Sequence, residues 1–142
     1  LPGSGKSTWV RQAGGTALSS DDLRQLLIDD ATDQTIHRRV FATLRYLIRQ
    51  RVELRRAVTY IDATNLTRKD RRPYIKMAEI CGCQVEAVFF NVPIAVCQQR
   101  NRLRNRIVPE AAIEHMAMRM VAPSLEEGFS RVTVIQDPDP PR

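Results

Sequence analysis

From Thr35 to about Arg55 the apolar residues Ile36, Val40, Phe41, Leu44, Leu47, Ile48 and Val52 recur at helical spacing, with arginines among the positions between them. This pattern predicts the longest helix of the chain, its arginine-bearing face in water. KSTWVRQ (6–12) reads as a short helix stopped at Gly14-Gly15, and DDLRQLLID (21–29) as a helix with two acids in its first turn, where they complement the helix dipole. DRRPYIKMAEICG (70–82) has a glycine stop, while PIAVCQQRNRLRN (93–105) and PEAAIEHMAMRM (109–120) each place proline near a helix start. Between these lie short runs of strand type: TALSS (16–20), AVTYID (57–62), CQVEAVFFNVP (83–93) and RVTVI (131–135). The second is a short continuous apolar run closed by an aspartate, as a buried parallel strand should look, and the third reads as a further buried strand stopped by Pro93.

Strands alternating with helices predict an α/β fold with a mainly parallel central sheet flanked by helices. With 142 residues, 43% of them hydrophobic, the chain suits one sizeable core, so residues 1–135 are expected to form a single domain. The last residues, QDPDPPR (136–142), hold three prolines and read as a tail or linker. No internal repeat is visible. Because a glycine-rich loop stands at Leu1, where an α/β sheet ordinarily supplies a strand first, the first strand is expected to lie ahead of this segment.

Charge adds a weak preference. Twenty-two Lys and Arg against 16 Asp and Glu give a net charge of +6, which favours phosphorylated or nucleic-acid partners over basic ones. Cys81, Cys83 and Cys97 have no ligand-like spacing to His37 or His115, so they read as buried or half-buried thiols of a reducing cytosol. No run approaches the roughly 18 apolar residues of a membrane span.

The chemistry begins with LPGSGKST (1–8), which fills the phosphate-loop pattern G-x-x-x-x-G-K-[ST] except for its first glycine. Gly3 and Gly5 let the backbone turn sharply around a phosphate, with Ser4 and Thr8 completing the loop and its exit into a helix. Lys6 suits the β- and γ-phosphates and the Ser7 hydroxyl suits Mg²⁺. A helix starting at Lys6 adds its N-terminal dipole.

SSDDLR (19–24) falls at a strand end, where open α/β folds place ligands. Asp21 and Arg24 are three residues apart and share a helix face. One reading makes Asp21 a base for an acceptor hydroxyl and Arg24 a bidentate grip on an acceptor phosphate. The other has Ser20 or Asp21 capping the helix and Arg24 paired with Asp21. IDATN (61–65) puts Asp62 where a strand-end carboxylate reaches Mg²⁺, with Thr64 and Asn65 beside the acceptor. RNRLRNR (100–106) carries four arginines at alternate positions. Read as helix, it pairs Arg100 with Arg104 and Arg102 with Arg106 on shared faces, a crowding of like charge that a transferring phosphate would relieve. Arg68, Lys69, Arg71 and Arg72 read as exposed, and weakly favour a polyanionic acceptor.

Taken together, PGSGKSTW, SSDDLR, DATN and RNRLR resemble the kinase domain of polynucleotide 5′-hydroxyl kinases, of the phage and bacterial RNA-repair types. VPEAAIEHM and the P-x-x-x-E-G-F run at Pro123–Phe129 also follow the wider group's pattern. The resemblance implies a three-layer P-loop fold with an arginine-rich helical lid, ATP and Mg²⁺ as donor and metal, and in-line transfer of the γ-phosphate to a 5′-hydroxyl end of RNA or DNA. It implies Asp21 as base and Arg24 on the acceptor's phosphate. It also implies Arg100 and Arg104 on the donor phosphates, a cytoplasmic setting, and fusion to phosphatase or ligase modules. The alternatives are a P-loop kinase of a small-molecule or nucleotide-sugar hydroxyl, an uncharacterised ATP-binding protein of the same fold, and a non-catalytic nucleotide-gated or RNA-binding module, which Asp21 disfavours. A guanine-reading N-K-x-D sequence is missing from the segment, which disfavours a signalling GTPase.

Overall fold

The computed structural model describes residues 1–136, in which helices alternate with short strands over two units. One unit is Ser7–Ala63; the other joins Leu1–Lys6 to the chain from Thr64 onward. The remainder of the proline-rich tail expected from Gln136 lies outside the described residues.

The first of these units contains most of α1 (Lys6–Gln12), then β1 (Ala17–Ser19), α2 (Ser20–Ile28), α3 (His37–Glu53) and β2 (Tyr60–Asp62). β1 and β2 run parallel, Leu18 opposite Ile61 and Ser19 opposite Asp62, as strands joined through a helical crossover must. α3 is the long helix expected, and its buried residues Val40, Leu44 and Ile48 repeat every four positions. Ser19 is the N-cap of α2: its backbone is extended and its hydroxyl accepts from the Asp22 N–H, so neither Ser20 nor Asp21 is the cap. β2 is half the length expected from AVTYID. Arg51 donates to the Val58 carbonyl and the Thr59 hydroxyl, both at 2.9 Å, and so takes acceptors at the start of that run.

The second unit contains α4 (Arg68–Cys81), β3 (Glu86–Phe90), α5 (Ile94–Arg102), α6 (Glu110–Arg119), a short 3₁₀ turn at Leu125–Glu127 and β4 (Arg131–Ile135). β3 pairs with β4 in parallel from Glu86–Arg131 to Phe90–Ile135. The mainly parallel character is as expected, but it is built as two separate two-stranded ladders among the described residues. With ladder partners on one edge only, β1 and β2 are half-buried rather than enclosed, β3 runs from exposed Glu86 to buried Phe90, and β4 is mostly exposed. Thr67 and Asp70 form a reciprocal cap at the start of α4, and Gly82 ends it in the left-handed conformation.

Arg71 is the keystone of this unit. It is buried, not exposed as its place in a basic run suggested, and it grips Glu127 with two bonds at 2.9 and 3.0 Å. Its remaining amino group donates to the carbonyls of Asn65, Leu66 and Val121. Burial pushes the Glu127 carboxyl up, but the hydrogen bonds from Arg71 and the Ser124 N–H, with the charges of Arg71 and Arg68, outweigh it and hold the group below the usual carboxylate range. Beside it Gly128 has φ +116°, and a Cβ there would stand 2.7 Å from Ile75 Cγ2. Phe129 is buried next to it, so the P-x-x-x-E-G-F run serves packing.

Among the described residues all three cysteines are free, Cys97 buried and Cys83 exposed, and no helix is long and apolar enough to cross a membrane.

Candidate active site

Gly3 and Gly5 adopt φ of +80° and +92°, the left-handed turns that the loop sequence requires. At Gly3 space is the second constraint: a Cβ would fall 2.3 Å from the Cys97 carbonyl oxygen of α5. Ser4 is fully buried, its Oγ has no hydrogen-bond partner, and its backbone N–H donates to the Leu1 carbonyl at 3.3 Å. The Lys6 ammonium folds back to donate to the Leu1 carbonyl at 2.8 Å, and α1 begins at the same residue. Such a loop, running into a helix N-terminus with a lysine at the junction, is a ready anion cradle.

In the unit Ser7–Ala63, the structure brings together residues 55 positions apart. The Ser7 hydroxyl donates to Asp62 Oδ2 at 2.5 Å. A hydroxyl and a carboxylate are hard oxygen ligands of the kind Mg²⁺ takes, usually alongside phosphate oxygens and water. This pair is the candidate for the protein's own share in holding such an ion. Thr8 lies exposed on the next position of α1.

The same strand edge carries the second pair. Asp62 lies opposite Ser19 in the β1–β2 register, and Ser19 caps the helix that presents Asp21 and Arg24. Arg24 Nη1 donates to Asp21 Oδ1 at 3.0 Å, and Arg24 Nη2 meets His37 Nδ1 at 3.4 Å. The Asp21 side chain is 50% exposed while that of Arg24 is 5% exposed. Of the two sequence readings of Arg24, the pairing one holds. The Arg24 guanidinium is buried against the Asp21 carboxylate, and its Nε is buried with no hydrogen-bond partner.

The other candidates belong to the second unit. Thr64 is exposed, and Asn65 sits at φ +42° with its carbonyl bound by Arg71. The expected helical lid is only partly helical: α5 ends at Arg102, so Arg100 lies on the helix and Arg104 on the turn, and the four-residue pairing of faces does not apply. Asn101 explains the break. It is fully buried, its amide donates to the Val108 carbonyl at 2.7 Å and its oxygen accepts from the Val108 N–H at 3.0 Å, closing the turn. Arg102 is taken by Glu110, at 2.6 Å. Sequence reasoning missed Asn101; its only signal was a short polar residue where a charged helix was assumed.

A family model described as an AAA domain matches residues 1–123, most of the chain. The chain belongs to this AAA domain family. The family is of P-loop NTPase type and includes kinases, which accounts for the α/β fold and identifies the glycine loop as part of a nucleotide-binding, kinase-like domain. No curated protein matches the chain. For an AAA domain of this kind, the arrangement at the β1–β2 edge provides two chemically distinct carboxylates. Asp62 is engaged by the loop serine, while Asp21 is held by a buried arginine and half open to solvent.

Proposed function

We propose that this AAA domain transfers the γ-phosphate of ATP to a 5′-hydroxyl end of RNA or DNA. The observation that carries the reading is the register of Ser19 with Asp62, which sets the Asp21–Arg24 pair at the same strand edge as the Ser7–Asp62 pair. Transfer by in-line displacement needs little covalent help from the protein; it needs phosphates held still, charge neutralised and a nucleophile aimed.

Asp21 accepts the hydroxyl proton as the acceptor oxygen bonds to the γ-phosphorus and the bridging oxygen departs with ADP. Arg24 keeps the carboxylate oriented. Ser7 and Asp62 would hold Mg²⁺, which when bound neutralises charge on the β- and γ-phosphates. Lys6, Arg100 and Arg104 are assigned to the donor phosphates, and Thr64 and Asn65 to the acceptor. The sequence resemblance supports these assignments, as it supports a role in nucleic-acid repair in the cytoplasm beside phosphatase or ligase modules.

The burial of Arg24 and Arg71 favours a second reading, phosphorylation of a small hydroxyl compound, because two cations expected to meet a polyanion are spent inside the fold. The two are separated by incubating the protein with γ-labelled ATP and either a 5′-hydroxyl oligonucleotide or a panel of small alcohols. Label on the oligonucleotide, absent when its end is already 5′-phosphorylated, is expected. Label only on a small alcohol would overturn the proposal.

A further inference from the structure

α3 has a second face that the site does not use. Arg38, Arg45 and Arg49 follow one another at seven- and four-residue spacing, and Arg39 and Tyr46 form the adjoining row seven residues apart. Opposite them, Val40, Leu44 and Ile48 are buried. Arg38, Arg39 and Arg49 are exposed and Arg45 half-exposed. Tyr46 stands between them at 58% exposure.

None of these four arginines has an ion-pair partner among the described residues, and the one acid on this face, Glu53, sits at the helix end. Four unneutralised like charges on one face are a cost that a solvated helix ordinarily avoids by interleaving acids. The stripe also has an address. The helix that carries it begins at His37, on the side of Leu44, and His37 Nδ1 meets Arg24, the residue paired with Asp21.

We infer that this face of α3 is a track for a single-stranded nucleic acid. Its phosphates lie along Arg38, Arg45, Arg49 and Arg39, and a base stacks on Tyr46. The chemistry is that of a sequence-tolerant single-strand site: regularly spaced cations for the backbone and an aromatic ring for a base face. From Arg38 to Arg49 the helix rises about 17 Å, enough for several phosphates and too long for a small-molecule acceptor. The track rests on the nucleic-acid reading of the acceptor, and leads toward Asp21.

The test is the affinity of a dye-labelled 5′-hydroxyl oligonucleotide, by fluorescence anisotropy over a salt series, alongside KM and kcat for its phosphorylation. Arg45→Ala with Arg49→Ala together should lower the slope of log K against log salt by about 1.4, since each single-strand phosphate contact contributes about 0.7. KM should rise while kcat at saturation stays unchanged. Tyr46→Ala should weaken binding about tenfold and Tyr46→Phe should restore it. Oligonucleotide transfer with unaltered KM and salt slope in the arginine variants overturns the track alone. Failure of the unaltered protein to bind or phosphorylate any oligonucleotide overturns the track and the nucleic-acid reading together.

Discussion

The Ser7 hydroxyl donates to Asp62 Oδ2 at 2.5 Å, tying the first turn of α1 to the last residue of β2. If this pair receives Mg²⁺ with the nucleotide, Asp62→Asn keeps the shape and removes the charge, and Ser7→Ala removes the hydroxyl. Each variant should lose transfer by about 10²-fold. Titration calorimetry should show weakened binding of the Mg²⁺-nucleotide and little change for nucleotide in the presence of a chelator. Equal losses in both conditions would show that the pair supports the loop and not the metal.

Arg71 and Glu127 predict a stability effect with a defined pH dependence. Their side chains are 8% and 6% exposed, so Arg71→Ala leaves a buried carboxylate unpaired and should cost about 3–5 kcal/mol, read from urea unfolding. Because Glu127 is held below the usual carboxylate range in the folded state, its contribution is fully present above the unfolded pKa and is lost as pH falls through the lowered folded value. The unaltered protein should therefore lose more stability than Arg71→Met with Glu127→Leu between about pH 6 and pH 3. Parallel curves would refute the assignment.

Asn101 should act on the arginine turn without touching substrate. Asn101→Ala removes two buried hydrogen bonds to Val108 and should cost about 1–3 kcal/mol of stability. If the turn positions Arg104 on the donor phosphates, the same variant should also erode the preference for ATP over ADP, and combining it with Arg104→Ala should add little. Full additivity in a double-mutant cycle would separate the clamp from the arginine.

Much of this is legible in the sequence. The spacing of Val40, Leu44 and Ile48 carried α3, and the glycines of the loop carried its positive φ values. What stayed hidden were the destinations of charged side chains. Arg71 sits in a basic run that looks solvated, and its carboxylate partner is 56 residues away. Arg24 had a partner within reach on its own helix, and the sequence does not show that its guanidinium is buried against Asp21. The arginine run looks helical because propensity does not register that the Asn101 side chain closes a turn onto Val108. β2 was overestimated because nothing local shows that Arg51 takes the Val58 carbonyl.

The central claim is that Asp21 acts on the acceptor and not on nucleotide binding. The most direct measurement compares the single-turnover rate of phosphate transfer to a 5′-hydroxyl oligonucleotide with the ATP dissociation constant, in the unaltered protein and in Asp21→Asn. The predicted result is a rate lowered by about 10²–10⁴-fold with the dissociation constant unchanged. Transfer that survives in Asp21→Asn, or a loss explained entirely by weaker ATP binding, would contradict it.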